Sequence, residues 1–442
     1  MRNREKSEVF EGNQLNGRLP ASRKNASFSV FGFDRLNNAD YLGFDDYTLE
    51  KHLLFLGGIG TGKSNALYHF VKGIKETLTE DDILIIFDTK GDFLFNTHGN
   101  FSRDFYSPGD IIISNDEHAR GKRGTDYWNI FHEIETGDHS EESINEIAKT
   151  LFFERIKGSN SPFFPNAAKD IFAGVLTHFY REAERASNQE LRAFFDECSA
   201  ESLSDVLSLH PDLKAITNYI RTDNPRQTQG VVSEILQLVR DILIGNFKKA
   251  GLLSMRQLVR AKGGRTVFIE YDLGTGKVLE PIYSLLFDLA IKEALSRKKS
   301  AGNVWIIADE FKLLPNLQHI DNAINFGRSL GVKMMIGVQN VEQLFEIYGE
   351  HRARSILSGL STTITFRLND EVSRGYIKGL FGQNRKKQRM EQINKNLPPQ
   401  ETIISAHVVE DWDISNLRLG EAIIGLPGQE PFFFKFFPFE PA

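Results

Sequence analysis

The segment HLLFLGGIGTGKSNAL, residues 52 to 67, constrains this chain more tightly than any other. An apolar run leads into Gly57-x-x-x-x-Gly62-Lys63-Ser64, and the amphipathic stretch NALYHFVKGIKETL follows. Strand, glycine-rich turn and helix form the context in which this spacing is a phosphate loop. Its glycines let the backbone wrap closely enough for N–H groups to cradle a β-phosphate, and the helix N-terminus adds a favourable dipole. The cradle comprises Gly57, Gly58, Ile59, Gly60, Thr61, Gly62, Lys63, Ser64 and Asn65. Lys63 is expected to reach the β- and γ-phosphates, and the Ser64 hydroxyl to bind Mg²⁺. The segment implies a nucleoside triphosphate. A second GTGK, Gly274 to Lys277, has no glycine five positions before Gly276 and carries Val278 where a magnesium-binding hydroxyl would stand, so it reads as a surface turn.

The loop belongs to an α/β pattern. HLLFLGG and ILIIFDT read as buried parallel strands with a helix between them, a βαβ unit. RTVFIEYD, VWIIADEF, VKMMIGVQ and TTITFRL restore the strand pattern after residue 264, and EAIIGLP and FFFKFFPF close the chain. FFFKFFPF reads as a closing strand rather than an exposed docking patch. Between them, residues 138–258 carry apolar residues at helical spacing with Ser-Pro and Asn-Pro boundaries, and read as an all-α insertion. The α/β unit thus comprises 51–137 and 259–442, and 1–50 reads as an arm or partial strand layer.

Two further strand ends carry carboxylates. VWIIADEF puts Asp309 and Glu310 at the carboxyl end of a strand, the edge at which open α/β sheets bind ligands. Beside a phosphate loop, Asp309 is expected to coordinate Mg²⁺ and Glu310 to polarise an attacking water, a group that a hydrolase needs and a kinase does not. In IIFDTKGDF, Asp88 reads either as part of the Mg²⁺ shell or as part of a tight Lys-Gly turn.

The phosphate loop, DTKGD, the helical insertion and DEF…LP…GRSLGV…VQN…QLFEIYG together resemble the conjugative type IV secretion coupling proteins. That family comprises TraD/TrwB/TraG-like ring ATPases, related to FtsK and HerA translocases. The resemblance covers about residues 50 to 435 and is most specific over 304 to 382. It implies a RecA-like P-loop NTPase core with a mostly parallel sheet and an inserted all-α domain. It further implies ATP and Mg²⁺ as ligands, a homohexameric ring, and DNA, relaxosome or secretion-channel proteins as partners. Gln339 matches a position that senses the γ-phosphate, and Arg328 one that acts as an arginine finger across a subunit interface. From the residues alone, Gln339 also reads as a strand cap and Arg328 as a bridge to surface carboxylates.

Composition sets limits on this reading. The net charge is −6 and the pI about 6.1, which argues against a surface coated for nucleic acid but leaves room for a local basic channel. Candidate DNA-contacting clusters are Arg297-Lys298-Lys299, Lys248-Lys249 and Arg385-Lys386-Lys387 with Arg389, the last read as a mobile loop. The single cysteine, Cys198, fits a reducing compartment, and no apolar run encodes a leader or a membrane span. Coupling proteins typically carry amino-terminal membrane helices, which this sequence does not show; either a separate membrane-protein partner replaces the anchor or the sequence is a trimmed one, and the expected location is cytoplasmic or peripheral at the inner face of the membrane. A soluble HerA/FtsK-like motor in genome processing or defence, and a cargo adaptor with weak hydrolysis, remain alternative readings.

Overall fold

The computed structural model describes residues 7–21, 25–115, 127–182, 186–221, 223–296, 302–390 and 400–442. Its strands are β1 (Ser7–Glu11), β2 (Phe28–Phe33), β3 (Ala39–Phe44), β4 (Leu53–Leu56), β5 (Ile83–Asp88), β6 (Ile111–Ile113) and β7 (Arg265–Glu270). They continue as β8 (Val304–Ala308), β9 (Val332–Val338), β10 (Thr362–Thr365), β11 (Gln383–Met390), β12 (Gln400–His407), β13 (Glu421–Gly425) and β14 (Phe432–Phe436). In β4, β5, β8 and β9 every residue is buried. Covered on both faces, these strands have no reason to alternate apolar with polar, and the sequence shows near-continuous apolar runs there, with Lys333 in β9 and Asp88 at the end of β5 as the charged exceptions.

An 11-stranded sheet runs β3-β2-β14-β13-β10-β4-β9-β8-β5-β7-β6. From β10 to β6 all neighbours are parallel. From β10 outward to β3 all are antiparallel. The segment before residue 50 is therefore the edge layer of the main sheet, through β2 and β3. FFFKFFPF supplies β14, an interior strand.

The helix Lys63–Thr77 covers one face, where Phe70 packs on Phe44 and Phe55 with ring centroids 4.6 and 5.1 Å apart. The hydrophobic cluster of the other face continues without a break into the insertion. There the helices are Ser140–Gly158, Phe163–Glu182, Asn188–Glu197, Ala200–Ser208 and Pro225–Ile242. Their starts are written locally: Ser187 and Ser199 accept N-cap bonds, and Pro225 opens its helix where no amide donor is needed. Among the described residues no helix is long and apolar enough to cross a membrane.

One basic cluster departs from expectation. Arg385, Lys386 and Lys387 lie in β11, paired on both sides within a three-stranded sheet β1-β11-β12, rather than in a loop. Arg385 meets Glu11 at 3.2 Å and Lys387 meets Glu401 at 2.5 Å, so acidic residues on both flanking strands face the charges of this strand. Arg297-Lys298-Lys299 lies outside the described residues.

The insertion joins the sheet at a neck built on one buried carboxylate. Glu133 is fully buried and accepts from Trp128 Nε1 at 2.8 Å, Ser254 Oγ at 3.1 Å, Met255 N at 2.5 Å and Arg256 N at 3.1 Å. It thereby ties the outgoing strand of the neck to the returning one. Glu133→Ala leaves these donors without a partner, each unsatisfied group costing about 1–3 kcal/mol. A loss of roughly 3 kcal/mol or more in denaturant unfolding is expected, with Glu133→Gln losing less.

Candidate nucleotide site

β9 lies between β4 and β8, so three consecutive parallel strands end side by side at the ligand-binding edge. The turn after β4 is the phosphate loop, Gln339 follows β9, and Asp309 and Glu310 follow β8. The loop is tied to its neighbours by backbone bonds. Gly57 N donates to Val338 O at 3.1 Å, Gly58 N to Arg367 O at 3.1 Å, and Gly420 N to Thr61 O at 3.0 Å. Gly62 has φ +106°, and a Cβ there would stand 2.9 Å from the Gly420 backbone, so only glycine fits both the turn and the approach. Thr61 Oγ1 closes the loop on Gly58 O at 2.8 Å, while Ile59 projects outward, 84% exposed.

Ser64 opens the following helix and donates to Asp309 Oδ2 at 2.9 Å. Lys63 Nζ stands 3.6 Å from Asp309 Oδ1, and both residues are buried. Asp309 Oδ1 is buried and makes no hydrogen bond among the described residues. A buried carboxylate oxygen without a donor, next to a hydroxyl and an ammonium, fits a Mg²⁺–phosphate ligand. Gln339 Nε2 donates to Glu310 Oε2 at 2.8 Å, and Glu310 Oε1 is likewise buried without a hydrogen bond, with Lys312 Nζ 3.7 Å away. Gln339 thus orients the carboxylate expected to act on water.

Two expected site residues do something else, and Arg328, expected to act across a subunit interface, lies away from its own loop. Asp88 is buried, and its carboxylate accepts from Lys90 N, Phe93 N and Leu94 N at 3.4, 3.0 and 3.0 Å. Its oxygens therefore hold the DTKGD turn instead of facing a metal, and burial pushes its pKa up to about 7. The Asn65 side chain fastens the C-terminal tail, donating to Phe437 O at 3.0 Å and accepting from Phe439 N at 2.7 Å. Arg328 precedes β9 and pairs with Glu50 at 3.2 Å, beside the Tyr47 ring. Ser329, Leu330, Gly331 and the seven residues of β9 separate it from Gln339, the strand alone spanning roughly 20 Å at the usual rise, so Arg328 lies at the opposite edge of the sheet from its own chain's phosphate loop. The second GTGK is a turn on Asp272, whose carboxylate accepts from Gly274 N and Thr275 Oγ1, both at 2.7 Å. Missed from sequence were Arg367 and Gly420, which touch the loop through backbone atoms and leave no side-chain signature.

A family model described as the type IV secretion-system coupling protein DNA-binding domain matches residues 39–431. The chain belongs to this family. Coupling protein TraD of Escherichia coli (strain K12) is 23% identical over 388 residues, covering 85% of this chain and 51% of TraD. The chain thus spans about half the length of that curated relative. In fold, this coupling-protein chain resembles the bacterial conjugative coupling protein TrwBdeltaN70 (TM-score 0.76, 18% identity, 98% and 95% of the two chains). It also resembles plasmid coupling protein TrwB in complex with ADP and Mg²⁺ (TM-score 0.72, 17% identity, 99% and 96%). VirB4 of Thermoanaerobacter pseudethanolicus is more distant (TM-score 0.56, 14% identity, 95% and 98%). The fold is the TrwB-like, RecA-type core with its helical insert.

The two assignments of Asp88 separate by experiment. Asp88→Asn is expected to speed amide exchange at Phe93 and Leu94 while leaving the Mg²⁺ dependence of nucleotide affinity unchanged within about twofold. The pH profile gives a second test. Asp88 in the folded chain keeps its proton up to about pH 7, whereas the unfolded carboxyl loses it near 3.8. Asp88 therefore withdraws stability as pH rises across that window, and the variant's unfolding free energy should lack this decline.

Proposed function

We propose that this coupling-protein chain is a Mg²⁺-dependent ATPase that assembles as a ring, a homohexamer by family resemblance, and moves DNA or a protein–DNA substrate toward a conjugation channel. The observation that carries the reading is the Gln339–Glu310 hydrogen bond set one strand from the phosphate loop. A nucleotide-binding switch or adaptor needs Lys63, Ser64 and Asp309; a hydrolase also needs a carboxylate aimed at water, and here one is half-buried and held by an amide.

Lys63 places an ammonium against the β- and γ-phosphates, and the loop amides hold the β-phosphate. Ser64 and Asp309 hold Mg²⁺, which neutralises phosphate charge when bound. Glu310 accepts the proton of the attacking water, and Gln339 reads the terminal phosphate while keeping Glu310 in place. Arg328 points away from its own phosphate loop, so it acts in trans, on a neighbour's nucleotide, leaving Glu50 to do so. A guanidinium delivered across the interface makes turnover depend on assembly. DNA is held through its phosphates without base reading.

ATP turnover per subunit should rise with protein concentration and again with single- or double-stranded DNA; a rate flat in both variables defeats the ring-motor reading. Arg328→Ala and Lys63→Ala should each lower turnover at least 100-fold. Mixing the two variants should restore part of the activity, because an Arg328→Ala subunit keeps an intact phosphate loop that a Lys63→Ala neighbour can complete.

A further inference from the structure

A cavity lies beside the phosphate loop, on the antiparallel half of the sheet. Its floor is β13 and β14, and its walls are the turn after β2 and the short helix Asp411–Ser415. It holds about 350 Å³, near the lower end of the range for small-ligand pockets.

The charges around this cavity are unevenly used. Three carboxylates line it, and each holds a turn. Asp34 accepts from Leu36 N and Asn38 N at 2.7 and 2.9 Å, Asp413 from Glu410 N at 3.1 Å, and Glu421 from Arg418 N at 2.8 Å. Three cations line it as well, Arg35, Arg418 and Lys435, and their side chains make no hydrogen bond or ion pair among the described residues. Arg35 is kept in place by an aromatic face, its Cζ 4.0 Å from the centre of the Phe433 ring. Arg35 and Arg418 are exposed and Lys435 is half-buried, so a solute can reach all three. Burial raises the Asp413 pKa, and Arg35 and Lys386 oppose the rise. At the rim Trp412 is 61% exposed, whereas Trp128 and Trp305 are buried.

We propose that this cavity is a second nucleotide site, with phosphates held by Arg35, Arg418 and Lys435 and the base stacked on Trp412. Guanidinium forks match phosphate oxygens in pairs, and a planar base covers an exposed indole as inorganic phosphate cannot. The lining repeats neither the Ser64–Asp309 nor the Gln339–Glu310 pair, so the ligand is held without being cleaved. Main-chain bonds connect this site to the phosphate loop. Arg418 stands two residues before Gly420, whose N–H bonds to Thr61 O at 3.0 Å. Lys435 adjoins Phe436, whose N–H bonds to Gly420 O at 2.9 Å. An occupant that draws Arg418 and Lys435 together therefore alters affinity at the phosphate loop, and occupancy of the loop alters the second site by the same factor.

Of the function proposed above, this requires only that the phosphate loop binds nucleotide. Equilibrium dialysis of the full chain with ADP and Mg²⁺ should give two nucleotides per chain. The Arg35→Ala/Lys435→Ala double variant should lose about tenfold or more in affinity at one of them. ADP should also quench the emission of Trp412, a signal that persists in Lys63→Ala and is absent in Trp412→Phe. A single nucleotide weakened by the double variant but not by Lys63→Ala would sink the phosphate-loop reading and keep this site. A single nucleotide weakened by both would instead be one ligand spanning the two, and would overturn the second site. Binding that the double variant leaves unchanged, pyrophosphate held as tightly as ADP, or displacement of the second ADP by a single-stranded oligonucleotide would each overturn it too.

Discussion

The distance between β8 and β9 governs everything at the nucleotide edge. Gly337, next to last in β9, has no room for a side chain, because an added Cβ would collide with the Asp309 carbonyl. Any larger residue pushes the strands apart or tilts β9, and the Gln339 amide would then miss Glu310. On the other side of β9, Gly57 N bonds to Val338 O, so the phosphate loop is referenced to β9 as well as to its own strand. Loop, Gln339 amide and acidic pair are held by the sheet, not by flexible connections. A site assembled this way costs little reorganisation when charge develops on a phosphate.

The parts legible in the sequence are those written in consecutive residues. The phosphate loop, the apolar strands and the helical insertion each carry a local pattern that tertiary packing does not override. Glu310 and Gln339 were legible as strand ends, and the order of the strands then made them neighbours. Asp88 was ambiguous because a carboxylate at a strand end has the same spelling whether it faces a metal or the amides of its own turn. Only the geometry of Phe93 and Leu94 separates the two. The RKKQR segment misled for a different reason. Its charges look like a solvated loop, and of the acidic residues that meet it in the strand, Glu401 comes from the next strand but Glu11 from the far end of the chain.

The neck shows how the insertion is made part of the sheet domain. Glu133 binds both crossing segments, and the helices beyond it share a hydrophobic cluster with the sheet. Ion pairs continue the connection outward: Arg256 reaches Glu146 at 2.8 Å, and Lys292 reaches the same carboxylate at 2.8 Å. His319, in the connection beyond Glu310, meets Asp288 at 2.9 Å and Glu146 at 3.6 Å. A displacement of that connection is therefore felt by the insertion through packed and charged contacts, without a loose linker between them.

β9 has a further consequence. It is a short, fully buried strand with parallel neighbours on both sides, so it transmits displacement along its axis with little bending. Gln339 stands at one tip and Arg328 just before the other. In a closed ring of the proposed kind, that rod would touch two nucleotides at once, its own at one end and a neighbour's at the other. Successive subunits would then be geared to one another through seven residues of strand, and the order of firing would be a mechanical property of the sheet.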